Sequence, residues 1–261
     1  MKASPIKIAV ISDVHANAPA LKVIFKDLKA RGATEIWDLG DSVGYNPFPN
    51  EVLACFRREK VQGVLGNYDK KVLSFPQAQK RWRSEKHPAK YFSFGWTYTH
   101  LTIANKRYLK ELPEQRRIKR KGIRFLLVHA SPLDIDEIVS GRTSKKRFLL
   151  LTKKAHADVV LCGHSHFCLD KKIYNTRFIN PGSAGRSFSG KQRASYAILE
   201  IGRGKVCVKY YCLSYDVEKN LKKMRQERFP EILLNSIRLG RSIDELQQRD
   251  CAKKDGIIAK R

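Results

Sequence analysis

The sequence predicts an α/β fold whose strands are buried on both faces. Short runs rich in Val, Ile and Leu recur without the alternation of a half-exposed strand. Helix-like stretches with one apolar face separate several of them. Five of the runs also stop abruptly in a cluster of residues able to act as ligands. In open α/β sheets, ligands bind beyond the carboxyl ends of the strands, so such a fold would gather the clusters on one rim.

The run IKIAVIS, residues 6–12, is the first strand and ends in Asp13-Val14-His15. APALKVIFKDLKAR then sets Ala20, Val23, Ile24 and Leu28 along one helical face. TEIWDL (34–39) runs into Gly40-Asp41, and VQGVL (61–65) into Gly66-Asn67-Tyr68-Asp69. Residues 75–112 carry Trp82, Tyr91, Phe92, Phe94, Trp96, Tyr98 and Tyr108 and are expected to form a helical insertion. It is either a small subdomain with its own core or a lid whose aromatics stack on a base. IRFLLV (123–128) meets His129-Ala130-Ser131, and ADVVLC (157–162) meets Gly163-His164-Ser165-His166. Further on, KKIYNTRFINPGSAG, ASYAILEIG and KVCVKYYCL alternate and are expected to form antiparallel hairpins closing a second sheet. Residues 215–238 are expected to pack back as helices. The domain would then cover residues 1–242, with 243–261 a basic, flexible tail.

With 261 residues and 42% apolar content, the chain has ample length for a core and reads as globular. No run approaches the roughly 18 apolar residues of a membrane span. The opening MKASPIKIAVIS passes straight into a polar motif, unlike a signal peptide. A cytoplasmic protein with no membrane partner is expected. Cys55, Cys162, Cys168, Cys207, Cys212 and Cys251 form no CxxC pair and are expected to be reduced thiols. Lys and Arg number 52 against 25 Asp and Glu, a formal net charge of +27. Such a field draws polyanions, nucleic acid included, but scattered lysines serve equally to solvate a surface.

The clusters contain the carboxylates Asp13, Asp41 and Asp69, the imidazoles His15, His129, His164 and His166, and the Asn67 amide. Mixed imidazole and carboxylate donors suit Mn, Fe, Zn, Ni or Co rather than Ca. Cys162 lies inside its strand, which argues against a structural zinc site. So many donors exceed the needs of one four-coordinate ion and suffice for two divalent metal ions if one carboxylate bridges. Two ions about 3.5–4 Å apart clamp an in-line displacement at phosphorus, ionise the attacking water near neutral pH and offset phosphoryl charge.

Asp13-x-His15, Gly40-Asp41, Gly66-Asn67-x-Asp69, His129 and Gly163-His164-x-His166 together resemble the calcineurin-like metallophosphoesterases. GDSVGYNPFPNEV, VHASP and NPGSAGRSFSGKQRASYAILEI are similar to a bacterial and archaeal branch of single-domain phosphoesterases, over roughly residues 6–240. The resemblance implies a four-layer αββα sandwich, two mixed β-sheets flanked by helices, with a dinuclear centre in which Mn is the first candidate. By position, Asp13, His15 and His166 would hold one metal. Asn67, His129 and His164 would hold the other, and Asp41 would bridge.

The implied substrate is a small phosphoester or nucleotide, attacked by hydroxide held between the ions. A diadenosine polyphosphate hydrolase, a protein phosphatase, a nuclease or a scaffold without activity are the alternatives. One position departs from the family. Tyr68 stands where a histidine is most common, contacting the leaving group and oriented by the following acid, here Asp69. Tyr68 and Asp69 are therefore the expected catalytic pair. A phenol of pKa about 10 is a poor proton donor near pH 7, and losing a general acid typically slows turnover roughly 10²–10⁴-fold. Aryl esters, anhydrides and cyclic diesters suffer least, so a phosphodiesterase or nucleotide-type hydrolase is expected. The alternative for Tyr68 is packing without catalytic contact.

Outside the motifs, Asn17 and Asn46 either line the pocket or form turns. Arg186 and Arg193 flank the glycine-rich loop and either grip a phosphate or stand in solvent. His87, His100 and His156 fall outside the clusters and receive no role.

Overall fold

The computed structural model of the chain describes residues 5–202 and 204–254. β1 (Ile6–Ile11), α1 (Ala18–Ala30), β2 (Glu35–Asp38), α2 (Pro49–Arg58) and β3 (Gln62–Gly63) form the first βαβαβ run. Four helices follow: α3 (Asn67–Leu73), α4 (Phe75–Glu85), α5 (Pro88–His100) and α6 (Ile103–Glu111). The hairpin β4 (Gln115–Arg120) and β5 (Ile123–Val128) leads through α7 (Lys145–Ala155) to β6 (Val159–Leu161). Two more hairpins come next, β7 (Cys168–Ile173) with β8 (Thr176–Pro181), then β9 (Ala194–Gly202) with β10 (Lys205–Leu213). α8 (Val217–Gln226), α9 (Glu231–Leu239) and α10 (Ile243–Lys254) complete the described chain.

The strands form two mixed five-stranded sheets, ordered β10-β9-β1-β2-β3 and β4-β5-β6-β8-β7. β1, β2 and β3 run parallel in the first, and β5, β6 and β8 run parallel in the second. The unbroken apolar runs follow from burial on both faces. Along β1, Ile8 and Val10 point between the sheets, while Ala9 and Ile11 meet the helical layer of α1 and α2. Along β5, Phe125 and Leu127 point between the sheets, while Leu126 and Val128 pack under α7. Helix, sheet, sheet and helix thus stack as an αββα sandwich. Trp37 and Phe125 meet edge to face across the middle, with ring centroids 5.2 Å apart. Among the described residues, no helix is long and apolar enough to cross a membrane.

The segment 75–112 is helical, as α4 to α6. Its Phe75, Trp82 and Phe94 are buried in the core that also holds α1 and α2. Two expectations need correction, and one strand lies outside them. The β9–β10 hairpin does not close the second sheet; β9 pairs antiparallel with β1 and extends the first. β4 is a strand that apolar patterning misses, because QRRIKR buries only Ile118 and leaves its charges along an open edge. The expected flexible tail from 243 begins as α10, with Ile243 and Leu246 buried. Ser242 caps it by accepting from Glu245 N at 3.1 Å. Residues 255–261 lie outside the described residues.

Phe125→Ala should remove the second-sheet half of the central aromatic pair. A loss of about 3–5 kcal/mol is expected from denaturant unfolding, with the two-state slope unchanged.

Candidate active site

Both sheets end their parallel strands at the same rim, and the loops there are stitched together across the sandwich. The His129 ring reaches the Leu39 carbonyl oxygen at 2.8 Å, and His164 N donates to Asp13 Oδ2 at 3.0 Å. Asp13 N donates to Gly40 O, and Gly163 N to His129 O, at 3.0 and 2.7 Å. The turns are forced. Asp13, His15, Asp41, His164 and His166 all adopt positive φ, between 47° and 63°. L-residues avoid this region, so each position stores strain that the surrounding hydrogen bonds must hold. Gly66 has no such option: a Cβ there would overlap Asp41 N and Oδ1.

Two donor groups result. The ligating atoms of Asp13, His15 and His166 lie within 4.8 Å of one another, as do those of Asp41, His129 and His164. Asp41 Oδ2 stands between them, 3.6 Å from His15 Nε2 and 3.5 Å from His129 Nε2. Ser165 separates two left-handed residues, which is how one short turn sends His166 to one group and His164 to the other.

Hydrogen-bond partners settle what each ring offers. His15, His129 and His166 direct Nδ1 at the carbonyl oxygens of Val43, Leu39 and Arg186, at 3.4, 2.8 and 2.5 Å. His164 directs Nε2 at the Asp136 carbonyl at 3.1 Å. A carbonyl only accepts, so each of these nitrogens carries the hydrogen and the other is bare. The bare pairs face each other, His15 Nε2 to His166 Nε2 at 3.4 Å and His129 Nε2 to His164 Nδ1 at 3.2 Å. Asp13 Oδ1 and Asn67 Oδ1 are buried with no hydrogen-bond partner. Converging lone pairs and orphaned oxygens, one set in each group, are what divalent cations would satisfy. These residues fit a pair of them.

Burial sets the electrostatics. It pushes the Asp13 carboxyl up to about 7. Burial, with Asp69 nearby, drives Asp41 well above the usual carboxylate range. It lowers His164 to about 4, and takes His15 and His166 well below the ordinary imidazole value, with Arg186 adding to both. His15, His164 and His166 are therefore neutral at pH 7 without any cation, ready to ligate.

Residues 6–204 match the model of the calcineurin-like phosphoesterase superfamily domain. The chain belongs to that superfamily. A protein of Methanocaldococcus jannaschii, described as uncharacterized, is 31% identical over 257 residues, 90% of this chain and 98% of that one. A metallophosphoesterase structure from Sphaerobacter thermophilus has a TM-score of 0.74 at 28% identity, covering 90% of this chain and 99% of that one. A hypothetical protein of Pyrococcus horikoshii OT3 shares the fold, with a TM-score of 0.80 at 21% identity over 89% of this chain and 97% of that one.

Within this calcineurin-like site, the two expected catalytic residues part company. Asp69 does not orient Tyr68. Its carboxylate accepts from Gly66 N, Val43 N and Ser42 N at 3.0, 3.0 and 3.3 Å, so it ties the β2 and β3 loops together. Tyr68 N donates to Asp41 Oδ1 at 2.7 Å, and its ring meets His15 edge-on. Its hydroxyl meets that of Tyr45 in a short hydrogen bond, and burial raises its pKa further.

Asn17 and Asn46 are structural: Asn17 caps α1 and donates to Gly185 O, while Asn46 donates to His15 O. Arg193 is exposed and bonds Ser214. Arg186 is buried against Tyr45. Asp136 gives no sequence signal, yet its carbonyl orients His164 and its carboxylate accepts from Asn67 and Lys71 at 2.5 and 2.7 Å. Burial works against that charge, but the Lys71 and Asn67 bonds hold its pKa below the usual range.

Because burial raises the Asp13 carboxyl to about 7 while His15 and His166 are already neutral, a binding cation must displace a carboxyl proton at pH 6. Affinity for Mn²⁺ should rise at least about tenfold per pH unit between pH 5 and 7. Calorimetry in buffers of different ionisation enthalpy should show at least one proton released at pH 6. Asp136→Ala keeps the carbonyl behind His164 but removes the carboxylate that holds the Asn67 amide, and should weaken binding about tenfold.

Proposed function

We propose that this chain is a two-cation phosphoesterase, most active as a phosphodiesterase on small or nucleotide-type substrates, with Mn²⁺ as the preferred pair. One observation carries the reading: two groups of bare, converging donors share the Asp41 carboxylate between them. When bound, divalent ions would supply Lewis acidity there, ionising water near neutral pH and offsetting phosphoryl charge. Everything else is work for the protein. Backbone carbonyls hold the rings in one tautomer, the left-handed turns aim them, and Asp69 locks the loops that carry Asp41 and Asn67.

The leaving group faces a tyrosine rather than an imidazole. Tyr68 can donate a hydrogen bond to the departing oxygen, but a phenol with a raised pKa does not give up its proton readily at pH 7. The site therefore suits leaving groups that need little protonation, as in aryl esters, nucleotide anhydrides and cyclic phosphodiesters. An aromatic rim supports the nucleotide class. Phe188 stacks on His166 with ring centroids 4.2 Å apart, and Phe167 beside it is exposed. Such faces stack on bases.

A panel with Mn²⁺ tests this: bis(p-nitrophenyl) phosphate, p-nitrophenyl phosphate, a dinucleoside tetraphosphate and a phosphopeptide. The diester should be fastest and the phosphopeptide slowest. Turnover of none, or a preference for the phosphopeptide, would overturn the reading. Tyr68→His should raise turnover of an alkyl phosphomonoester by at least about tenfold while changing the aryl diester little.

A further inference from the structure

Arg186 is 5% exposed, and a guanidinium does not lose its proton inside a protein. Buried charges are normally paired, because an isolated one forfeits its hydration without compensation. Among the described residues, no carboxylate pairs with this one. Its Nη2 donates to Ser236 Oγ at 3.2 Å, and its Nε is buried with no partner. The nearest compensation is aromatic: Cζ lies 3.5 Å over the Tyr45 ring and 4.8 Å from the Phe188 ring centroid.

Its position is informative. Tyr45 packs edge-on against His15 at 5.2 Å between ring centroids, and Phe188 stacks on His166. The guanidinium thus sits between two rings that each rest on a donor of the Asp13 group, and its own carbonyl receives His166 Nδ1. Its charge also depresses both imidazoles. An uncompensated cation beside a site that would bind phosphoryl groups lacks only an anion.

We infer that Arg186 is a substrate-binding residue whose free N–H groups take a phosphoryl oxygen, through the charge-assisted bonds that arginine forms with phosphate. The word substrate rests on the phosphoesterase reading; the anion site does not. Ligands with a fully charged phosphoryl group, including inorganic phosphate, would gain most from it.

The experiment is calorimetric titration of inorganic phosphate into the Mn²⁺-loaded full chain, for wild type and Arg186→Met. Methionine keeps an apolar contact on Tyr45 and removes the charge. Phosphate affinity should fall at least about tenfold, with metal content unchanged and melting temperature equal or higher, since a buried unpaired charge is gone. A merely structural arginine predicts the reverse: a lower melting temperature with phosphate affinity intact, and that result would overturn the inference. If Arg186→Met does not fold, Arg186→Lys keeps the charge and loses the planar fork, and unchanged phosphate affinity there would overturn it equally. Loss of phosphate binding in a chain that hydrolyses no ester would sink the functional reading and keep this one. Ester turnover with Arg186-independent KM and phosphate affinity would do the opposite.

Discussion

Two pairs of imidazole nitrogens, each without a hydrogen, face one another across 3.4 and 3.2 Å in a site largely closed to water. Lone pairs at that distance repel, and the low dielectric of the surroundings strengthens the repulsion. The arrangement persists because each ring is held from behind by a backbone carbonyl, and the carbonyls belong to loops that bond across both sheets. A cation in each gap would turn the repulsion into ligation. The strained turns and buried carboxylates are acceptable costs only on that condition, since strain of this kind collects where function requires it.

The sandwich exists to make that convergence possible. Parallel strands deliver their carboxyl ends to one rim, and stacking two sheets brings two rims together. His129 and His164 come from the second sheet, while Asp13, Asp41 and Asn67 come from the first. Neither sheet alone owns a complete donor group. The apolar layer between them, with Trp37 against Phe125, thereby fixes the distance between donors as well as the stability of the domain.

The donors themselves were legible, because ligation demands particular side chains and strand ends are marked by local patterning. Asp13, His15, Asp41, Asn67, His129, His164 and His166 all meet at the rim where the strand pattern put them. What supports them was not. Asp136 orients His164 through a carbonyl that any residue possesses, so its type carries no signal. Arg186 is buried by Ser236 and Tyr45, far away in sequence, and a lone arginine in a chain with 52 basic residues does not stand out. Asp69 looked catalytic by its place in the motif, and only geometry shows its oxygens consumed by backbone amides. The β9–β10 hairpin could extend either sheet, since alternation does not say which edge is open. The start of α10 lies in a polar stretch with little apolar periodicity, and it shows only in the structure, where Ser242 accepts from Glu245 N.

The account turns on whether the two donor groups hold two cations at once. A crystal grown with Mn²⁺ and measured for anomalous scattering decides it. Two peaks about 3.5–4 Å apart are expected, one among Asp13, His15 and His166, the other among Asn67, His129 and His164, with Asp41 touching both. A single peak, no peak, or imidazoles swung away from the gaps would contradict it.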